Sequence, residues 1–212
     1  MRTLVIIILT AALGWSAYWY LGVTNRETVL TDWFDERQEA GWVAESTLRL
    51  RGFPNRYDAI IEGIELADPA TGWAWNAPRF ELLQMSYQPN HFIALWPATQ
   101  TIKTPYERIT INSYDMRASV VFQDETELSR ATLSAKSLNL YSTAGWGATT
   151  QEFVLALRET EGVENSYDLG LNANDLTPSN ATMSHLAHPG LLPKHLHTFH
   201  HEPHRPSHTP PP

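Results

Sequence analysis

The chemistry-bearing side chains of this 212-residue chain are concentrated at one end. Eight of its nine histidines, His185, His188, His195, His197, His200, His201, His204 and His208, follow Met183. Neutral imidazoles ligate zinc, nickel or copper, so a cluster of this kind can capture metal without a fold. Here the spacing matches no defined site, and only Glu202 and no cysteine stands among the histidines to complete a ligand set. Seven of the fourteen prolines share the same stretch, which ends in Pro-Pro-Pro. A segment so poor in apolar side chains cannot offset its ordering entropy, and residues 183–212 read as a solvated, disordered tail. The abrupt change of composition at 183 also fits a frame change that appends foreign residues to a β domain.

The remaining histidine, His91, stands at a turn that enters a strand-like run. A catalytic imidazole needs a nucleophile or carboxylate within hydrogen-bond reach, and the sequence assigns it none. The carboxylates Asp32, Asp35, Glu36 and Glu39, and Asp124, Glu125 and Glu127, fall on a helix face and a turn, where solvated charge is their ordinary role. There is no phosphate-cradling glycine loop, nucleophile elbow or zinc-protease helix, and Asn180-Ala-Thr182 is a common chance match to a glycosylation triplet. The absence of cysteine removes thiol nucleophiles, disulfides and thiolate metal sites. A formal charge of −8 excludes a nucleic-acid surface, which needs clustered Lys and Arg. The chain is therefore expected to be non-enzymatic, with no metal or cofactor.

Aromatic side chains are the other candidates. Trp73 and Trp75, in Thr71-Gly-Trp-Ala-Trp-Asn-Ala-Pro78, and Trp96 fit either a ligand or partner platform on a loop or anchors in a core, and aromatic burial favours the core.

These residues must be positioned by the elements around them. Residues 3–23 form an uncharged apolar run that, at about 1.5 Å per residue, spans roughly the 30 Å of a bilayer's hydrocarbon core. Trp15, Tyr18, Trp19 and Tyr20 gather at its far end, as at a headgroup boundary, and Arg2 before it favours a cytoplasmic N-terminus. Residues 1–26 are read as an uncleaved membrane anchor; a signal peptide cut near Ala12-Leu13-Gly14 is the competing reading. Residues 27–41 continue as a stalk helix that stops at Gly41, with Val29, Leu30, Trp33, Phe34 and Arg37 at helical spacing.

From Trp42 the period changes to two. Strands are predicted at 42–50, 57–67, 79–87, 91–96, 108–112, 116–123, 129–141, 152–159 and 166–172, with proline- and glycine-bearing breaks between them. No helical pattern interrupts them. The fold class is mainly β: an anchor and stalk helix followed, over residues 42–182, by an antiparallel meander that forms a curved amphipathic sheet. Leu48, Leu50, Ile60 and Ile64, with Leu83, Met85, Ile93, Leu95, Val121, Leu138, Leu140, Phe153 and Leu155, supply its apolar face. Leu48, Leu50, Ile60, Ile64 and the three tryptophans are the candidate lipid-facing or partner-binding residues. A bare apolar sheet is an aggregation hazard unless a second layer, missing sequence or acyl chains shield it.

Four strings, Gly41-Trp-Val-Ala44, Gly52-Phe-Pro-Asn-Arg-Tyr-Asp58, the tryptophan stretch from Asp68 to Pro78, and Ser86-Tyr-Gln-Pro-Asn-His-Phe-Ile-Ala-Leu-Trp-Pro97, resemble a bacterial envelope family known as domain of unknown function 2125. That resemblance runs from the anchor to about residue 180, and it implies a longer chain than this one, single-pass in the bacterial inner membrane with its domain in the periplasm. The family is similar, more distantly, to AsmA-like proteins. This implies an elongated sheet whose apolar side binds or passes phospholipid, or else a non-catalytic scaffold for an envelope protein; no catalytic residues carry over.

Overall fold

The computed structural model describes residues 1–123, 127–160, 162, 163 and 166–179. The histidine- and proline-rich segment 183–212, with every expectation placed on it, lies outside the described residues.

A single helix, α1 (Arg2–Glu39), joins the expected anchor and stalk without a break. Leucine, isoleucine and alanine fill its first half, Thr10, Ser16 and Thr24 return their hydroxyls to carbonyls one turn back, and Gly41 at φ 85° ends it. Ten strands follow: β1 (Val43–Arg51), β2 (Arg56–Asp68), β3 (Trp73–Met85), β4 (His91–Leu95), β5 (Thr99–Lys103), β6 (Arg108–Phe122), β7 (Leu128–Ser142), β8 (Gly147–Glu159), β9 (Tyr167–Asn174) and β10 (Thr177–Pro178). All belong to one antiparallel sheet ordered β1-β2-β3-β4-β6-β7-β8-β10, with β5 paired to β3 and β6, and β9 paired to β8. The mainly-β antiparallel meander is thus the observed fold.

Three predicted elements need correction. The tryptophan stretch is no loop, because β3 begins at Trp73 and runs through Pro78. Proline is tolerated there because the ladder is interrupted at that level: β3 pairs with β5 at 74–76 and with β4 at 81–84, leaving 77–80 opposite the corner between them. The two strands expected at 108–112 and 116–123 are one, β6, bent rather than broken. The five-residue strand β5, between Pro97 and Pro105, carries too short a pattern to be read in sequence.

That interruption recurs across the sheet. In β6, buried Ser113 is followed by exposed Tyr114 and Asp115 before the inward-facing Met116 and buried Ala118. In β7, Lys136 and Ser137 are both exposed between buried Ala135 and Leu138; in β8, Gln151 and Glu152 stand likewise between Thr150 and Phe153. Tyr114 pairs with Lys136, Lys136 with Glu152, and Glu152 with Asn174, so the irregularities form one line. Gly63 in β2 and the register shift between Glu45 and Thr47 in β1 extend it to the far edge. Positive φ angles at Gly63, Asp115, Ser137 and Asp175 mark the same level. Register shifts fall in the β1–β2 and β6–β7 pairs, and because each bulge bends its strand and increases its twist, the sheet is creased at those two places along this line.

Candidate functional site

Register decides which side chains share a face, because directly paired residues point the same way. One row crosses the sheet from β1 to β9 as Leu50, Ala59, Leu82, Ala94, Ala118, Leu133, Leu155 and Leu171. The next runs Tyr57, Gln84, Phe92, Val120, Ala131, Leu157 and Leu169. Apart from Gln84 and the Tyr57 hydroxyl, both rows are apolar over their whole length. The reverse face, on the same strands, reads Arg117, Ser134, Val154 and Asn172 in one row and Ser119, Thr132, Ala156 and Gly170 in another. Over β6 to β9 the sheet thus has one oily side and one largely polar side.

α1 lies across the oily side over β1 to β3 only. Phe34 packs on the cluster of Ile61, Ile64 and Ala77, together with Leu48, Leu66, Trp75 and Phe80. Nearer the N-terminus, the Trp15 and Trp19 indole N–H groups donate to the carbonyls of Pro54 and Arg56 at 2.9 and 2.8 Å. The Tyr18 hydroxyl points at the Ser86 carbonyl at 3.4 Å. Gly22 lets the helix approach most closely: a Cβ there would lie 2.3 Å from the Tyr57 hydroxyl. The aromatic residues read as headgroup markers are therefore also the bolts that fix α1 to the β1–β2 and β3–β4 turns.

Between α1 and the sheet lies a cavity of about 500 Å³, lined by Asn25, Arg26, Val29 and Leu30 of the helix and Leu50, Tyr57, Ala59, Leu82, Gln84 and Phe92 of the strands. Its volume falls in the range of small-molecule sites, about 300–1,000 Å³. Phe92 meets Phe122 edge-on at 6.0 Å, and beyond them the two apolar rows continue to β9 with no other element over them among the described residues. Leu169 and Leu171 there are 67% and 66% exposed.

The residues singled out in the sequence divide. Leu48 and Leu50 lie on the oily side under α1, and so does Ile64, the most deeply buried large side chain. Ile60 does not: it pairs with Arg49 and Glu81 on the reverse face, and its neighbour Ile61 takes the inward position. Leu83, Met85, Ile93, Leu95 and Val121 likewise turn to the reverse face, because the paired residues Leu82, Gln84, Phe92, Ala94 and Val120 claim the other. Trp75 and Trp96 flank Phe80 at centroid distances of 5.7 and 5.2 Å, and the Trp75 indole donates to Gln100 at 2.8 Å, so both are structural anchors. Trp73, 54% exposed, sits at the opposite end of the sheet from the α1 aromatics. The sequence does not single out Gln84, Phe92 and Leu157, which only cross-strand register unites, or Arg26, which only the packing of α1 brings to them.

His91 has a partner after all. Its Nε2 lies 2.8 Å from the Ser119 hydroxyl across the β4–β6 pair, on the reverse face. Among the described residues no carboxylate hydrogen-bonds that imidazole, and the His91 backbone amide donates to the Gln88 carbonyl in the turn before β4. The contact is a cross-strand tie of the kind that holds sheets together. Among the described residues no group of three or more His, Asp or Glu side chains is placed to hold a metal ion.

Comparison with known proteins adds one finding. The sequence profile of an uncharacterized protein family conserved in bacteria, domain of unknown function 2125, matches residues 19–202. The chain belongs to that family. The family match continues through Met183 into the histidine-rich segment, which gives a frame change at 183 no support. No curated protein and no solved structure matches this family member.

Proposed function

We propose that this family member is a non-enzymatic, single-pass protein of the bacterial envelope, anchored in the inner membrane by the first half of α1 with its sheet in the periplasm, and that the oily side of the sheet binds or passes phospholipid acyl chains. The observation that carries this reading is the continuity of the two apolar rows from the cavity beneath α1 to strands β6 to β9, over which no other element lies among the described residues. α1 supports the anchor: it is long and apolar enough to cross a membrane, and none of its most apolar stretch is buried in the protein.

The geometry of α1 also sets the distance to the bilayer. Because Trp15 and Trp19 are bonded to the sheet, only residues 2–14 project beyond it, about 20 Å of helix. A hydrocarbon core is about 30 Å thick. In this reading the β1–β2 and β3–β4 turns, which expose Phe53 and Tyr87, enter the outer leaflet over the remaining ~10 Å and bring the mouth of the oily side into it.

Organic extraction of the full chain, purified in mild detergent and washed, tests the proposal. The expected result is phospholipid retained in stoichiometric amount, and its loss on Leu155→Glu with the fold intact by circular dichroism. A lipid-free wild type, or undiminished lipid in the variant, removes it. A second reading, a scaffold that contacts an envelope protein, is favoured by exposed Trp73 at the start of β3 and exposed Tyr106 on the β5–β6 turn. Specific crosslinking of a partner at those residues, with no lipid retained, selects it.

A further inference from the structure

The cavity beneath α1 is lined by one ionised group, Arg26, and among the described residues no carboxylate stands against that cation. Its Nε donates to the Gln84 side-chain oxygen at 2.6 Å, an Nη1 proton to the Gly22 carbonyl at 3.0 Å, and its guanidinium plane lies 3.9 Å over the Tyr57 ring. All three partners are uncharged. Tyr57 cannot substitute for an anion, because burial, with Tyr18 beside it, pushes its phenol above the ordinary value and keeps it protonated. The ion pairs among the described residues engage Arg49, Arg56, Arg79 and Arg117, not Arg26.

The support around Arg26 is nonetheless built to aim it. Gln84 is buried, and its amide N–H is tied to the Pro89 carbonyl, which turns its oxygen toward the arginine. Tyr57, held between Arg26 and the Trp19 ring, fixes the guanidinium plane from below. An arginine so placed remains a cation. A desolvated, oriented and uncompensated cation beside an empty apolar space is matched by an amphiphile that brings its own negative charge. The guanidinium edge beyond the Nε and Nη1 contacts suits the paired oxygens of a phosphate. Depth agrees as well. Arg26 lies seven residues, about 10 Å, past Trp19, just outside the aromatic boundary where leaflet phosphates sit.

We propose that Arg26 receives the phosphodiester of a phospholipid whose acyl chain lies in the cavity over Ala59 and Leu82 and passes Phe92 onto the open rows. This rests on the reading of the oily side as a lipid surface, and it adds a headgroup site to that surface.

Native mass spectrometry of the full chain in detergent, incubated with phosphatidylglycerol, diacylglycerol of the same acyl chains and the matching free fatty acid, tests it. Wild type should retain one phosphatidylglycerol in preference to diacylglycerol by about tenfold or more. Arg26→Gln should retain the two alike, and Arg26→Lys should recover part of the preference. Should Arg26→Gln fail to fold, the wild-type preference and the lysine variant still decide. Equal retention of phosphatidylglycerol and diacylglycerol by wild type, a preference for the fatty acid, or a preference that Arg26→Gln leaves intact overturns the headgroup site while the apolar-face reading stands. Retention of none of the three removes both.

Discussion

The sheet carries the same oily side under α1 and away from it, yet the two halves fare differently. Over β1 to β3, Tyr57, Ala59, Ile61, Ile64 and Ala77 are nearly sealed. Over β6 to β9, Ala118, Ala135 and Leu138 are buried beside the bulges, but Leu133, Leu155 and Leu157 are half-buried, and Leu169 and Leu171 lie open. The strands do not differ in pattern; they differ in whether a helix lies on them. One half spends its apolar rows on stability. The other keeps them available, and its polar reverse face leaves only one side for an apolar ligand.

The largest expected contrast comes from truncating one side chain in each half. Ile64→Ala, at a site 2% exposed, should cost about 2–5 kcal/mol in urea unfolding of the detergent-solubilised chain. Leu169→Ala should change stability by no more than about 0.5 kcal/mol. Similar losses at both sites would mean that the open half is sealed by something else and would break the comparison. A smaller effect sharpens the role of the helix. Gly22→Ala drives a methyl into Tyr57, which is held between Arg26 and Trp19, and should cost about 1–3 kcal/mol by thermal unfolding. A neutral result would show that α1 does not depend on this close approach.

Much of this was legible in the sequence, and the failures share a cause. The apolar run 3–23, the change of period at Trp42 and the punctuated series of strands gave the helix and most of the meander, because each is a local pattern. Facing was harder. Ile60-Ile61, Leu82-Leu83 and Val120-Val121 are apolar at both parities, so a period of two fits either phase, and a bulge in mid-strand resets the phase unannounced. Ile60 was therefore assigned to the wrong side and Ile61 passed over. Arg26 was invisible for another reason: it is one arginine on a polar helix turn until Tyr57 and Gln84, about 30 and 60 residues away, are folded against it.

The most direct test of the account is to locate an acyl chain on the sheet. The full chain, reconstituted in vesicles of phosphatidylethanolamine and phosphatidylglycerol doped with a phospholipid bearing a photoreactive acyl chain, is illuminated and digested, and the adducts are mapped. The account expects adducts at Phe92, Val120, Leu133, Leu155 and Leu157, and none at Ser119, Thr132 or Arg130 on the reverse face. Adducts confined to the exposed anchor residues before Trp15 would contradict it.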